Sequence, residues 1–151
     1  MSESIPVVTR CMEQMRRIAG SVPVFSEKSL IIYGDSDFMD KTKVLKKPCV
    51  GVLYEGIRSV SESKESGKKG ISSELGVAFV LLFDSSVIGT GRNGNPIAEN
   101  LMDQLRIRVH AEKAETGHFW RFVLEAPVSE KDGVYLWVQR WVAPIQVRTH
   151  G

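Results

Sequence analysis

Residues 75–83 read LGVAFVLLF, nine positions with no charged side chain and no alternation between polar and apolar. A strand with one wet face alternates with a period of two. A strand without alternation is buried on both faces and belongs at the centre of a sheet. The fold is read outward from this segment.

Upstream of it, residues 49–54 (CVGVLY) predict a strand that stops at Glu55-Gly56, and residues 30–33 (LIIY) predict another that stops at Gly34 and Asp35. Residues 59–73 hold only Val60 and Ile71 as sizeable apolar groups among Ser, Lys, Glu and Gly. Such a segment packs no core of its own, which predicts a long mobile loop or an extended hairpin. Nearer the N-terminus, Val8, Cys11, Met12, Met15, Ile18 and Ala19 recur at three- and four-residue steps. This spacing stacks them on one face of a helix over residues 5–19, with Glu13, Gln14, Arg16 and Arg17 on the other side and Gly20 as a left-handed terminator.

Downstream, Asn95 is placed to cap a second helix and Pro96 to open it. Ile97, Leu101, Leu105 and Val109 step by four, with Ala98 and Met102 beside them, so the helix is expected to run to about residue 113. Residues 118–128 and 134–142 then read as two strands joined through Asp132-Gly133, a strong hairpin signal. Tyr135, Trp137, Gln139 and Trp141 share one face of the last strand, and Leu136, Val138, Arg140 and Val142 the other. The expected architecture is α+β, a single domain over residues 1–151 with a mixed, mostly antiparallel sheet backed by two main helices. Two helices cover one face. The apolar groups left on the other call for a partner surface, most simply a second copy, or for loops or a third helix near residues 35–45.

Composition narrows the function classes. Twenty Lys and Arg against 18 Asp and Glu give a net charge of +2, which gives no sign of wholesale nucleic-acid binding. Hydrophobic residues at 42% and charged residues at 25% describe a globular chain, long enough to bury a core without disulfide or metal staples. Cys11 and Cys49 have no CxxC spacing, and His110, His118 and His150 form no HxH or HExxH pattern, so no metal site is expected. Residues 1–10 lack a leader pattern and the longest apolar run is too short to span a bilayer, so a soluble protein made in the cytoplasm is expected.

Motifs for chemistry are sparse. Gly89-Thr90-Gly91-Arg92-Asn93-Gly94 matches GxGxxG between a strand and a helix. Residues 84–88 separate it from the strand, however, and the cap at Asn95 starts the helix after the last glycine. No acidic-ended second strand follows, so a flexible turn is favoured over a nucleotide site. Asp35, Asp37 and Asp40 lack the glycine and distal glutamate of a calcium loop. No GxSxG occurs. Lys41, Lys43, Lys46, Lys47, Lys64, Lys68 and Lys69 are not interleaved with aromatics as a base-stacking platform requires. The expectation is a protein that is not an enzyme and carries no cofactor.

Four blocks carry a resemblance: residues 47–58 (KPCVGVLYEGIR), the polar loop followed by Ser73-Glu74-Leu75-Gly76-Val77, residues 117–127 (GHFWRFVLEAP) and residues 133–141 (GVYLWVQRW). With the second helix between them, this pattern resembles the tail terminator (tail completion) proteins of long-tailed bacteriophages over residues 48–144. The resemblance implies a structural virion protein, made in the host bacterium and resident at the tail–neck junction. Such a protein forms a homohexameric ring on the head-proximal end of the tail tube, stops tube growth and joins the tail to the neck. Its implied partners are its own copies, the tail tube protein, a neck or connector protein and, in contractile tails, the sheath; DNA only passes through the ring lumen. On this reading Lys64, Lys68 and Lys69 of the long loop face the tube or lumen. Arg16, Arg17, Arg106 and Arg108 lie at the rim between subunits, and Tyr135, Trp137 and Trp141 on a buried sheet face or a subunit face. The alternatives are another neck or head-completion connector and, from a different class, a small nucleotide-binding enzyme using the Gly89, Gly91, Gly94 motif.

Overall fold

The computed structural model describes residues 5–34, 48–59, 71–84, 95–131 and 133–147. Helix α1 spans Val7–Gly20, a 3₁₀ turn Pro23–Phe25, strand β1 Ser29–Ile32, β2 Cys49–Ser59 and β3 Ile71–Asp84. Helix α2 spans Asn95–His110, β4 Arg121–Lys131 and β5 Val134–Val147. The five strands form one sheet in the order β1-β2-β3-β5-β4. Strands β1 and β2 are parallel, and every other neighbouring pair is antiparallel. The α+β architecture expected from the sequence is the one observed, with β3 at the centre.

Packing follows the strand parity. Val50 and Val52 of β2, Leu75, Val77, Phe79, Leu81 and Phe83 of β3, and Trp137 and Trp141 of β5 point to one side. There they meet Cys11, Met12, Met15 and Ile18 of α1 and Ala98, Met102, Leu105 and Val109 of α2 in one continuous core. Burying side chains of this size contributes about 1.5–3 kcal/mol each. The opposite side carries a smaller cluster of Ala78, Val80 and Val138 with Leu53 and Leu136 against it. The large aromatics of β5 therefore sit under the helices, whereas the sequence reading left large aromatics on the face away from them. The third helix expected near residues 35–45 lies outside the described residues.

Several boundaries differ from the sequence reading for physical reasons. Gly56 was read as a stop, yet β2 continues to Ser59 through a bulge in which Glu55 is the extra residue and Gly56 adopts φ +94°. The far end of the β2–β3 hairpin is correspondingly longer: β2 pairs with β3 from Ser73 onward, and β3 begins two residues earlier, at Ile71, because Ile71 and Ser72 pair with Val147 and Gln146 of β5. Helix α2 stops at His110 rather than near residue 113. The Ala111 and Glu112 amides donate to Arg108 and Val109, three residues back, which tightens and ends the last turn. Strand β4 begins at Arg121 rather than 118. The intervening chain makes a small loop of its own, closed by the Lys113–Phe119 bridge and turned at Gly117, φ +94°. Gly20 is not a left-handed cap; Ser21 ends α1 in a right-handed conformation, its hydroxyl donating to the Ile18 carbonyl at 2.6 Å. Gly20 is small for another reason: a Cβ there would lie 3.0 Å from Ser29 Oγ.

Candidate interaction surface

Strand β4 is an edge strand, joined to the sheet only through β5 among the described residues. Its sequence is apolar on both sides, and one side of an edge strand has no neighbour to cover it. Phe122 (42% exposed) lies on the helix side beside Trp141, while Val123 (46%), Leu124 (38%) and Val128 (55%) lie on the opposite side with Arg140; with Phe119 (58%) just before the strand, they make the rim of this edge an exposed apolar strip on both faces of the sheet. Lys113 places its ammonium 5.4 Å from the Phe119 ring centroid, a cation–π contact that leaves the ring's other side open. The strip has an irregular backbone. The register with β5 shifts between Phe122 and Leu124 and again between Pro127 and Ser129, and Pro127 has no N–H to donate. Bulges and proline block strand addition at an edge. What this edge offers is side chains rather than a hydrogen-bonding template.

Beneath the strip lies a buried polar chain. Trp141 Nε1 donates to Gln139 Oε1 (2.8 Å), and Gln139 Nε2 donates to Glu125 Oε1 (2.9 Å) and to the Met102 carbonyl (3.0 Å). Glu125 also pairs with Arg106, which reaches Asp103 at 3.0 Å. The two carboxylates hold the Arg106 guanidinium above its ordinary value, the Glu125 hydrogen bond contributing most. Edge strand, neighbouring strand and helix α2 are thereby tied together. His110 and Phe122 both meet the Trp141 ring edge to face, at 5.2 and 5.5 Å.

A second set of contacts fixes α1 to the chain after α2. Gln14 donates to the Lys113 carbonyl at 2.6 Å and accepts from the Glu115 amide at 3.1 Å. Arg17 forms two hydrogen bonds with Glu112, at 2.7 and 3.1 Å, and these hold the Glu112 carboxyl below the usual carboxylate range. Cys11 lies beside this clamp, and burial pushes its thiol up from 9.0 to about 11.

The residues singled out from sequence are distributed as follows. Arg16 pairs with Glu13 on its own helix, Arg17 with Glu112, Arg106 with Glu125 and Asp103, and Arg108 donates to the Gln104 carbonyl at 3.4 Å. The four arginines are not gathered into one cluster; each serves a contact within the chain. Trp141 is fully buried and Trp137 nearly so, while Tyr135 is half-buried against the same core. Both tryptophans pack in the core of their own chain. Lys64, Lys68 and Lys69, the glycines at 89, 91 and 94, the aspartates at 35, 37 and 40, the lysines at 41–47 and His150 lie outside the described residues. Cys11 and Cys49 are both buried, and no disulfide joins them. Among the described residues no group of three His, Cys, Asp or Glu is arranged to hold a metal ion. No helix among them is long and apolar enough to cross a membrane.

Sequence reasoning missed Gln14 and Gln139. Gln14 was assigned to the wet side of its helix yet is 5% exposed, and Gln139 shares a face with Trp137 and Trp141. The one signal for Gln139 was its parity: a glutamine between two tryptophans on a core-facing strand must be hydrogen-bonded. Compared with known proteins, the chain matches no family model and no curated protein sequence.

Proposed function

We propose that this chain is a structural ring-forming protein of the tail terminator kind, seated at the tail–neck junction of a virion. It caps the head-proximal end of a phage tail tube and presents a different surface to the neck. The reading rests on the pattern resemblance over residues 48–144. The observation that supports it best is the exposed apolar strip on β4, an edge that favours side-chain contact over strand addition. A subunit that contacts its neighbour through one edge and is itself contacted elsewhere makes a heterologous interface, which closes into a ring when the rotation allows. A tube grows because each layer repeats the interface beneath it. A cap ends growth by matching that interface on one side and not reproducing it on the other. On this reading the 59–73 loop, with Lys64, Lys68 and Lys69, touches the tube.

The test is native mass spectrometry of the purified chain across concentration, with negative-stain images of the same sample, alone and mixed with purified tail tubes. The expected result is a six-fold ring, alone or on one end of each tube, and tubes that no longer elongate. Rings on DNA-filled heads and none on tubes would move the protein to the head-completion alternative. No ring in either sample would overturn the proposal.

A further inference from the structure

Strands β1 and β2 run in parallel, and that pairing constrains the chain between them. Ile32 ends β1 level with Leu53, whereas β2 opens at Cys49, level with the residue before Ser29. Residues 33–48 join the two strands and must return about 13 Å along the sheet, four residues at the rise of a strand, before β2 can start. A tight hairpin cannot make this link, so the connection crosses one face of the sheet.

The hand of the crossing decides which face. The Val50 amide donates to the Lys28 carbonyl at 3.0 Å, and the Val50 side chain lies in the core under the helices. In a strand of L-residues seen running upward with a side chain toward the viewer, that residue's N–H and C=O point to the viewer's right. Seen from the helices with β2 upward, β1 therefore stands to the right of β2. A link from β1 to β2 over the helix side would move from right to left and be left-handed. Over the opposite face it is right-handed, as about 98% of such connections are. The other crossover in the molecule obeys the same rule. Helix α2 joins the parallel strands β3 and β4 over the helix side, and with β3 turned upward in that view β4 lies to its right.

The face away from the helices is suited to such a cover. Strand parity puts Ile32, Cys49, Ala78, Val80, Leu82 and Val138 there, and all six are buried although both helices and the 3₁₀ turn pack on the other side. Gly51 is buried as well, between Leu30 and Val80 in the ladder. It has no positive φ, so the backbone does not demand glycine at this point. A missing side chain in mid-strand lets another length of chain come close. The connection carries the groups to match, with Phe38, Met39, Val44 and Leu45 among residues 35–47.

We infer that residues 35–47 cross the sheet on the face away from the helices and dock their apolar side chains over Ile32, Gly51, Leu53, Ala78 and Val80. The occupant is this chain's own segment rather than a second copy. Its two ends are tied to the neighbouring strands beneath it, so it covers the face without the loss of freedom that association of two molecules costs. The face that the sequence reading offered to a partner is thereby closed from within, and partners are left with the β4 rim. The inference rests on the β1–β2 pairing and is independent of the ring reading.

The experiment is photo-crosslinking in the full chain. p-Benzoylphenylalanine takes the place of Phe38 in one variant and of Leu45 in another, with circular dichroism confirming the fold. Ordinary and heavy-nitrogen chains are mixed before irradiation, and mass spectrometry of the digest locates each attachment. The expected result is attachment within a single chain to Ile32, Leu53, Ala78 or Val80. Attachment to Val52, Met12 or Met15 on the helix side overturns the inference, as does the absence of any attachment in a folded variant. Attachment only between ordinary and heavy chains also overturns it and assigns the face to a second copy. Gly51→Val gives an independent reading by its sign. On an uncovered face valine in mid-strand raises the melting temperature, whereas beneath a docked segment it lowers it. A lowered melting temperature in dilute solution is expected, and a raised one overturns the inference.

Discussion

Trp141 donates its indole N–H to the side chain of Gln139, two residues earlier on the same strand, at 2.8 Å. Both side chains are 0% exposed, and Gln139 passes the connection on to Glu125 and the Met102 carbonyl. A buried amide that serves three partners holds β4, β5 and α2 in one register. Gln139→Leu is expected to leave these groups without their partner and to cost about 2–3 kcal/mol. Urea unfolding followed by tryptophan fluorescence measures it; a loss under 0.5 kcal/mol would mean that the network contributes little.

Trp137→Ala is expected to lower the stability of the isolated chain by about 3–5 kcal/mol, the range for emptying a large aromatic site. Its 9% exposure places it in the core beneath the helices. Thermal melting by circular dichroism reads the effect on the monomer. An unchanged melt together with lost assembly would instead place Trp137 at a subunit contact.

The Gln14 clamp gives a local test. Gln14→Ala removes a donor from the Lys113 carbonyl and an acceptor from the Glu115 amide, so a cost of about 1–3 kcal/mol is expected. Hydrogen exchange should speed up at Glu115 in particular, because its amide loses the Gln14 oxygen. Protection there equal to that of the parent chain would contradict the clamp.

Arg17→Ala carries a pH signature. The Arg17 hydrogen bonds lower the Glu112 pKa in the folded chain, so their contribution is present above the unfolded carboxylate value and is lost as pH falls through the lowered one. The pair is largely solvent-exposed, and its worth at neutral pH is about 1 kcal/mol or less. The stability difference between parent and variant should be largest near pH 7 and close once Glu112 is protonated in both. A difference independent of pH would assign the loss to packing of the arginine stem.

Cys11 and Cys49 are both buried, and the Cys11 thiol is raised from 9.0 to about 11. Native protein at pH 8 is therefore expected to resist a disulfide-exchange reagent, and to release two equivalents once unfolded in guanidinium. Rapid reaction of either thiol in the native chain would show that the α1 face opens readily.

Pattern strength decided what could be read before the fold was known. The unbroken apolar run at 75–83 identified the central strand, and the three- and four-residue spacing around Met12 and Met15 identified the buried face of α1. The boundaries were harder because the deciding partners are distant in sequence. The Gly56 bulge depends on β3, and the end of α2 is fixed by a turn that Gln14 holds from another helix. The polar groups of the interior were hardest to see. Gln14 looks like a surface residue until burial and partner geometry are known, and Gln139 betrays itself only by sharing a strand face with Trp137 and Trp141. The role of Gly76 needed topology, since it lies beside Gly56 and beneath Glu55 only when β2 and β3 pair.

The strand order has a consequence for how the molecule is made. Strand β5 lies between β3 and β4, although it follows both in the chain. A ribosome that has finished β4 has produced two strands that run in the same direction with an empty lane between them. Until the chain has emerged as far as Ala143, the LGVAFVLLF strand has one edge unpaired, and Trp137 and Trp141 have yet to fill the core under the helices. Sheet closure is thus held back to a single late insertion of the β4–β5 hairpin. Throughout that wait the nascent chain carries an unbroken apolar strand with one edge open, the kind of surface through which incomplete folds aggregate.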